Sequence, residues 1–152
     1  MDGIVIRTIE KQDYMKQYLQ LLEQDFTIRP TIISHSEFIN YVTTLHNHHQ
    51  VFVIENIHKN TTVIIGSVTI FIETKIIHNF GKVAHVEDVI VDNTCRGKGL
   101  GKMLVQKCID YAQKLDCYKI ILNCSDENIP FYEKCGFSKK ENEMALYFND
   151  VI

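Results

Sequence analysis

The sequence lacks a long apolar run, a surplus of basic residues and an even number of cysteines. No stretch of its 152 residues has eighteen consecutive apolar residues, which excludes a transmembrane helix and argues against a membrane partner. The formal net charge is −3, so the basic footprint of a nucleic-acid-binding protein is missing. Five cysteines, in a chain that needs no disulfide to be stable, indicate reduced thiols. We therefore expect a cytoplasmic protein.

The first thirty residues also lack the pattern of a targeting segment. They carry acidic and basic side chains throughout, which leaves no apolar signal core and no acid-poor transit peptide. The apolar content of 45% in 152 residues suits one core of ordinary size. We expect residues 1–152 to form a single domain.

The spacing of apolar residues predicts an α/β fold with a mixed sheet. Runs rich in Val, Ile and Thr predict strands, and apolar residues at helical spacing predict helices. The predicted strands are 4–8, 51–57, 62–73, 82–91, 118–122 (as a buried strand) and 144–148. The predicted helices are 13–24, a second one capped by Ser34 or Ser36, a long one after Gly97 and a short one capped by Asn128.

Residues 96–102, Arg-Gly-Lys-Gly-Leu-Gly-Lys, form a glycine-rich loop between a predicted strand and the long amphipathic helix. Glycine lets the backbone approach phosphate oxygens closely, and the amides at a helix N-terminus favour anions. Arg96, Lys98 and Lys102 add positive charge. The loop is therefore expected to bind a phosphate-containing ligand, with a ligand-free turn as the alternative.

Two common nucleotide motifs do not fit this loop. The P-loop requires glycine in place of Arg96 and serine or threonine in place of Met103. The dinucleotide fingerprint has the spacing G-x-G-x-x-G, whereas Gly97, Gly99 and Gly101 alternate. Neither class of nucleotide-binding protein is indicated.

Two motifs resemble those of the GNAT (general N-acetyltransferase) family. The pattern Arg-x-x-Gly-x-Gly at 96–101 is similar to the family's loop for the pyrophosphate of acetyl-CoA. Residues 128–137 resemble its second signature, N-x-x-F-Y-x-x-x-G-F. The resemblance implies a GNAT fold, with a mixed and mostly antiparallel central sheet that is flanked by helices and splayed at the acetyl-CoA cleft.

The resemblance also implies which residues bind the donor, acetyl-CoA. Its pyrophosphate is expected on the glycine-rich loop, and its thioester oxygen on a main-chain amide near the end of the preceding strand. The implied donor-binding residues are Val89, Ile90, Val91, Arg96, Gly97, Lys98, Gly99, Leu100, Gly101, Lys102, Asn123, Asn128, Phe131 and Tyr132.

Further segments are similar to those of GNAT members that acetylate a phosphorylated amino sugar, glucosamine 6-phosphate. These segments are 75–78, 85–89, 117–120 and 131–137. The implied reaction is direct transfer of acetyl to the sugar amine in a ternary complex, giving a precursor of UDP-N-acetylglucosamine. The implied substrate-binding residues are Lys75, Ile76, Ile77, His78, Glu87, Asp88, Val89, Tyr118 and Lys119, the last two reaching from a neighbouring subunit of a homodimer.

Three residues are candidates for catalysis. Tyr132 is the candidate acid for the departing thiolate. Asn123 stands where related enzymes carry an acidic residue, so the base is expected to be Glu87 or Asp88, acting through water, or to be absent. Adjacent residues of a strand point to opposite faces, so only one of these two carboxylates is expected to face the site.

Other interpretations stay open. The chain could be a GNAT enzyme for another small amine, or a CoA-binding sensor without activity. His46, His48 and His49 lack a second ligand cluster at a recognisable spacing, so no metal is expected.

Overall fold

The computed structural model describes residues 3–58 and 61–148. Within these residues, five strands form one sheet in the order β1-β2-β3-β4-β5. The pairs are antiparallel except for β4 and β5, which are parallel. The strands are β1 (Ile4–Thr8), β2 (His49–His58), β3 (Thr61–Thr74), β4 (Lys82–Val91) and β5 (Cys117–Leu122). The prediction of a mixed, mostly antiparallel sheet is confirmed.

Helices cover both faces of this sheet. They are α1 (Tyr18–Glu23), α2 (His35–Thr44), the single turn α3 (Ile77–Phe80), α4 (Leu100–Lys114) and α5 (Ile129–Glu133). Ser34 caps α2 as predicted, since its hydroxyl accepts a hydrogen bond from the Glu37 amide in a capping box. Pro130 lies in the first turn of α5, as the sequence predicts.

The predicted helix over 13–24 is interrupted. A 3₁₀ helix, Lys11–Lys16, comes first, and Gln17 then takes a left-handed conformation with φ of 63° before α1 begins. The first segment is fixed by Asp13, whose buried carboxylate accepts hydrogen bonds from the Glu10 amide and from Arg7. These side-chain contacts of Asp13 override the continuous helical pattern of the sequence.

Two hydrophobic clusters lie on opposite faces of the sheet. One packs α4, through Leu104 and Cys108, against Ile70 and Val86 of the central strands. The other packs α1 and α2 against β2 and β4, with Phe38 at its centre. The side chain of Met103, in the first turn of α4, is 44% exposed.

A bulge and a splay shape the carboxyl end of β4. Ser67 pairs with Ile90 and Thr69 pairs with Glu87, so two residues of β4 lie opposite one of β3. On the other side, β5 pairs with β4 only as far as Val86 and Leu122, while β4 continues to Val91. The two strands therefore part at the end where the glycine-rich loop begins, and the predicted splay is confirmed.

Two sequence predictions about strands are wrong. Strand β5 is not buried, because it is the edge of the sheet, and Tyr118 and Ile121 are exposed. Residues 144–148 form no strand, and the side chains of Met144, Leu146 and Phe148 are exposed, because no other strand of the described residues pairs with them. Among the described residues, no helix is long and apolar enough to cross a membrane.

Candidate active site

The glycine-rich loop opens onto free space in front of α4. Gly97 and Gly99 have φ of 76° and 82°, a region that favours glycine, and a Cβ atom on either would meet nothing within 4 Å. Gly99 caps α4, and the buried side chain of Leu100 anchors the first turn. The loop thus exposes its backbone at the N-terminus of a fifteen-residue helix, the arrangement that binds phosphate oxygens.

A groove of about 940 Å³ runs from this loop along the splayed end of β4. It brings together all of the predicted donor-binding residues except Lys98 and Asn123. Those that line it are Val89, Ile90, Val91, Arg96, Gly97, Gly99, Leu100, Gly101, Lys102, Asn128, Phe131 and Tyr132. Lys98 is exposed on the loop, and Asn123 lines a neighbouring cavity.

Arg96 has protein partners within the groove. Its Nε donates to the Val91 carbonyl at 3.0 Å, and its guanidinium forms an ion pair with Asp25. Asp25 and Phe26 line the same groove, although they lie in the connection after α1. No local sequence pattern indicates this contact, because Asp25 and Arg96 are 71 positions apart.

Tyr132 lies where the groove meets the neighbouring cavity, and its side chain lines both. Its ring packs edge-on against Phe131 and Phe137. Burial, followed by the nearby thiols of Cys124 and Cys135, raises the pKa of Tyr132 to about 12. The phenol is therefore protonated at neutral pH and is available as a proton donor.

The bulge changes the orientation of the two predicted carboxylates. Asp88 has φ of 51°, which breaks the alternation of the strand, and both Glu87 and Asp88 are exposed. Asp88 lines a cavity beside the groove, whereas Glu87 lines neither the groove nor that cavity. The pKa of Glu87 is raised by burial first and then by the charge of Asp88, so the two groups lie close together.

A second cavity, the acceptor pocket of about 370 Å³, lies between α1, α2 and the bulge. Its lining is mostly apolar and aromatic and includes two acids and no lysine or arginine. The lining residues are Tyr18, Leu19, Leu22, Phe26, Thr27, Ile28, Ile33, Glu37, Phe38, Tyr41, Thr69 and Asp88. Tyr18, Phe26 and Tyr41 were missed as site residues because aromatic residues at helical spacing are typical of a core.

The groove and the acceptor pocket meet. Phe26 lines both, and the adjacent residues Asp88 and Val89 line one each. A molecule in the groove and a molecule in the pocket can therefore approach each other at the Asp88-Val89 bulge.

The remaining predicted substrate-binding residues lie elsewhere in this chain. Residues 75–78 precede β4, and the ring of His78 packs on that of Tyr118 with 4.3 Å between centroids. Lys75 forms an ion pair with Glu73, and Lys119 lies 5.9 Å from the Tyr118 ring centroid. This cluster lies at the start of β4, and six residues of extended strand put it about 20 Å from the bulge. The exposed side chains of Ile76 and Ile77 belong to the same cluster.

The described residues contain no group of three or more His, Cys, Asp or Glu side chains placed to hold a metal ion.

Comparison with known proteins agrees with this geometry. The profile described as "Acetyltransferase (GNAT) family" matches residues 12–137. The chain therefore belongs to the GNAT acetyltransferase family, whose members use acetyl-CoA.

Among individual proteins, the chain is similar to glucosamine 6-phosphate N-acetyltransferases. It is 40% identical to that of Arabidopsis thaliana, over 95% of this chain and 96% of the relative. It is 38% identical to that of Candida albicans, over 96% and 97% of the two chains. The crystal structure of the Arabidopsis enzyme superposes with a TM-score of 0.90 at 36% identity, covering 97% of this chain and all of that one.

Proposed function

We propose that the protein transfers acetyl from acetyl-CoA directly to the amine of glucosamine 6-phosphate, in a ternary complex. The observation that carries this proposal is the meeting of groove and acceptor pocket at Asp88 and Val89. The relatives that match nearly the whole chain carry this activity in their names. The products are N-acetylglucosamine 6-phosphate and CoA, which supply UDP-N-acetylglucosamine synthesis in the cytoplasm. Residues 1–152 act as one domain.

The groove suits the donor, acetyl-CoA. The open backbone of Gly97 and Gly99 accommodates the pyrophosphate, and Lys102 provides a cation beside it. Val89 lies in the bulge, outside the regular ladder between β3 and β4, so its backbone is available to the thioester oxygen. These residues position the acetyl group next to the acceptor pocket.

Tyr132 serves as the acid. The reaction leaves a thiolate, and the phenol, which stays protonated because its pKa is raised to about 12, can donate a hydrogen bond to the sulfur. Tyr132 lines the groove near Phe131, on the side opposite β4. Donation strengthens as the sulfur gains negative charge, so this contact stabilises the transition state more than the ground state.

Glu87 serves as the base through a water molecule. Its pKa is raised by burial and by Asp88, which improves its match to an amine proton near neutral pH. An amine next to electron-withdrawing oxygens titrates near the value of an α-amino group, about 7.7–8.0, so a weak base suffices. Asn123 cannot act as a base, and it lines the cavity next to the groove and not the acceptor pocket.

The sugar phosphate requires cations that the acceptor pocket does not have. Its lining includes Glu37 and Asp88, and neither lysine nor arginine. Lys119 and the 75–78 segment lie about 20 Å away along β4 in the same chain. We therefore assign these residues, with Tyr118, to the site of a neighbouring subunit in a homodimer.

The surface of the chain supports this homodimer. Met144, Leu146, Tyr147 and Phe148 are between 77% and 96% exposed, which makes a contiguous apolar segment. Among the described strands, none pairs with the outer edge of β5. An apolar segment and an open strand edge in one chain are complementary to the same features in a second copy.

The experiment that tests the function is release of CoA thiol from acetyl-CoA with different amines. We expect turnover with glucosamine 6-phosphate to exceed that with glucosamine and spermidine by orders of magnitude. Equal turnover of the three amines would contradict the proposed substrate and leave only the assignment to the GNAT family. Absence of release with any amine would identify a CoA sensor.

A further inference from the structure

One connection joins the donor groove to the acceptor pocket. Residues 24–28, the strap, follow α1. Asp25 and Phe26 line the groove, whereas Phe26, Thr27 and Ile28 line the acceptor pocket. The strap is thus a wall shared by the two cavities.

The strap is tied to the segment between β4 and the glycine-rich loop. The Gln24 side chain donates to Asp92 at 2.8 Å and accepts from the Asn93 amide at 2.9 Å. Asp25 forms the ion pair with Arg96. Arg96 is in turn held by the Val91 carbonyl, so these contacts fix the strap to the residues that begin the loop.

These contacts are unsuited to a purely structural role. The side chains of Arg96 and Asp25 are 49% and 42% exposed, and such exposed pairs contribute little to stability. What distinguishes Arg96 and Asp25 from other exposed pairs is that both line the donor groove. A carboxylate that lines a groove for a pyrophosphate repels the ligand unless a cation neutralises it, and Arg96 does so at the first residue of the loop.

We propose that Gln24 and Asp25 are positioning residues that couple the two sites. Binding of CoA restrains the glycine-rich loop and Arg96 further, which strengthens their hold on the strap, and the restrained strap keeps the wall of the acceptor pocket in place. CoA therefore raises the affinity for the acceptor, and the acceptor raises the affinity for CoA by the same factor. The identity of the acceptor rests on the proposed function, whereas the ordering of the strap by CoA does not.

The test compares the wild type with the double variant Gln24→Ala/Asp25→Ala. The matched control is Glu23→Gln, which removes an exposed acidic charge one residue from the strap. Hydrogen exchange of the 24–33 segment and of the Asn93 amide is measured with and without CoA. Affinity for glucosamine 6-phosphate is measured by calorimetry under both conditions. Asp25→Asn, which keeps one oxygen acceptor for Arg96, is included as the conservative variant.

In the wild type and in Glu23→Gln, we expect CoA to slow exchange of the strap at least about fivefold and to raise acceptor affinity by a similar factor. In the double variant, the CoA-dependent ratios of exchange rate and of acceptor affinity both fall toward one. Asp25→Asn retains part of both effects. Unchanged protection and coupling in the double variant would overturn the proposal, as would absence of protection in the wild type. CoA-dependent protection of the strap without binding of glucosamine 6-phosphate would support the effect of CoA on the strap and overturn the assigned acceptor.

Discussion

The Cα atom of Gly101 approaches the ring of Phe131 so closely that a Cβ atom there would lie 3.2 Å from the ring. This contact joins the first turn of α4 to α5, and both residues line the donor groove. A side chain at this position would therefore push against the Phe131 ring.

Gly101→Ala is therefore expected to displace Phe131 and to raise KM for acetyl-CoA by about three- to tenfold. Alanine stabilises a helix by about 0.5–1 kcal/mol relative to glycine, which offsets the cost of displacing Phe131. The melting temperature should therefore change little. Steady-state kinetics and thermal denaturation check both expectations. The second-site change Phe131→Leu, made in the Gly101→Ala background, should restore part of the lost affinity. A KM equal to that of the wild type in Gly101→Ala alone would contradict this account.

Tyr132→Phe removes the proposed proton donor but keeps the ring that packs on Phe131 and Phe137. We expect kcat to fall about 5- to 150-fold, corresponding to about 1–3 kcal/mol, with little change in either KM. Tyr111→Phe is the matched control, because that hydroxyl bonds the Asn47 carbonyl, away from the groove. A loss of kcat of the same size in the control would argue against a specific role for Tyr132.

The pKa of Glu87 gives a pH dependence of defined sign. A base works only when deprotonated, so kcat at saturating substrates should fall as pH drops through the raised pKa of Glu87. Asp88→Asn removes the negative charge that helps to raise this pKa, so the acid limb should shift to lower pH. Glu87→Gln should remove that limb and reduce kcat. A pH profile identical in wild type and Asp88→Asn would exclude Glu87 as the base.

Local signals predicted the parts of the site that depend on local geometry. The glycines at 97 and 99 need positive φ, and the capping box of Ser34 and Glu37 starts α2; both can be seen in a few adjacent residues. The splay of β4 and β5 was implied by family resemblance and agrees with the observed strand pairing.

Three features depend on contacts that no local pattern contains. Asp88 takes a positive φ because of the bulge between β3 and β4, and an acidic residue within a β-branched run does not indicate one. The ion pair of Asp25 and Arg96 joins residues 71 positions apart. Residues 144–148 have the composition of a strand, but a strand needs a neighbour, and this chain supplies none among its described residues.

Arg7, Asp13 and Glu55 form an ion cluster away from the site. Breaking this cluster should have a large effect on stability. The Asp13 carboxylate is fully buried and accepts two hydrogen bonds from the Arg7 guanidinium, at 2.7 and 2.8 Å. Asp13→Ala removes one of the two carboxylates paired with Arg7, leaving the Glu55 carboxylate, and is expected to cost about 3–5 kcal/mol in the free energy of unfolding. Glu73→Gln, which weakens exposed pairs with Lys75 and His85, should change the free energy of unfolding far less. Urea denaturation measures the free energy of unfolding of both variants. Equal losses in the two variants would contradict the role of burial.

The homodimer predicts complementation between two variants of reduced activity. Lys119→Ala removes a proposed phosphate contact donated to the neighbouring site, and Tyr132→Phe removes the acid of its own site. In a mixed dimer, one site then combines both wild-type residues, and the other site carries both changes. Activity should therefore appear on mixing, although each variant alone has little.

The expected recovery can be estimated. Random reassociation of equal amounts makes about half of the dimers mixed, and one of the two sites in each is intact, which gives about one quarter of wild-type activity. The variants are mixed in mild denaturant, dialysed and assayed for CoA release. A mixture that shows only the average of its two components would mean that Lys119 serves its own subunit or none. Met144→Glu/Leu146→Glu, which places charges on the exposed apolar segment, should prevent both dimerisation and recovery.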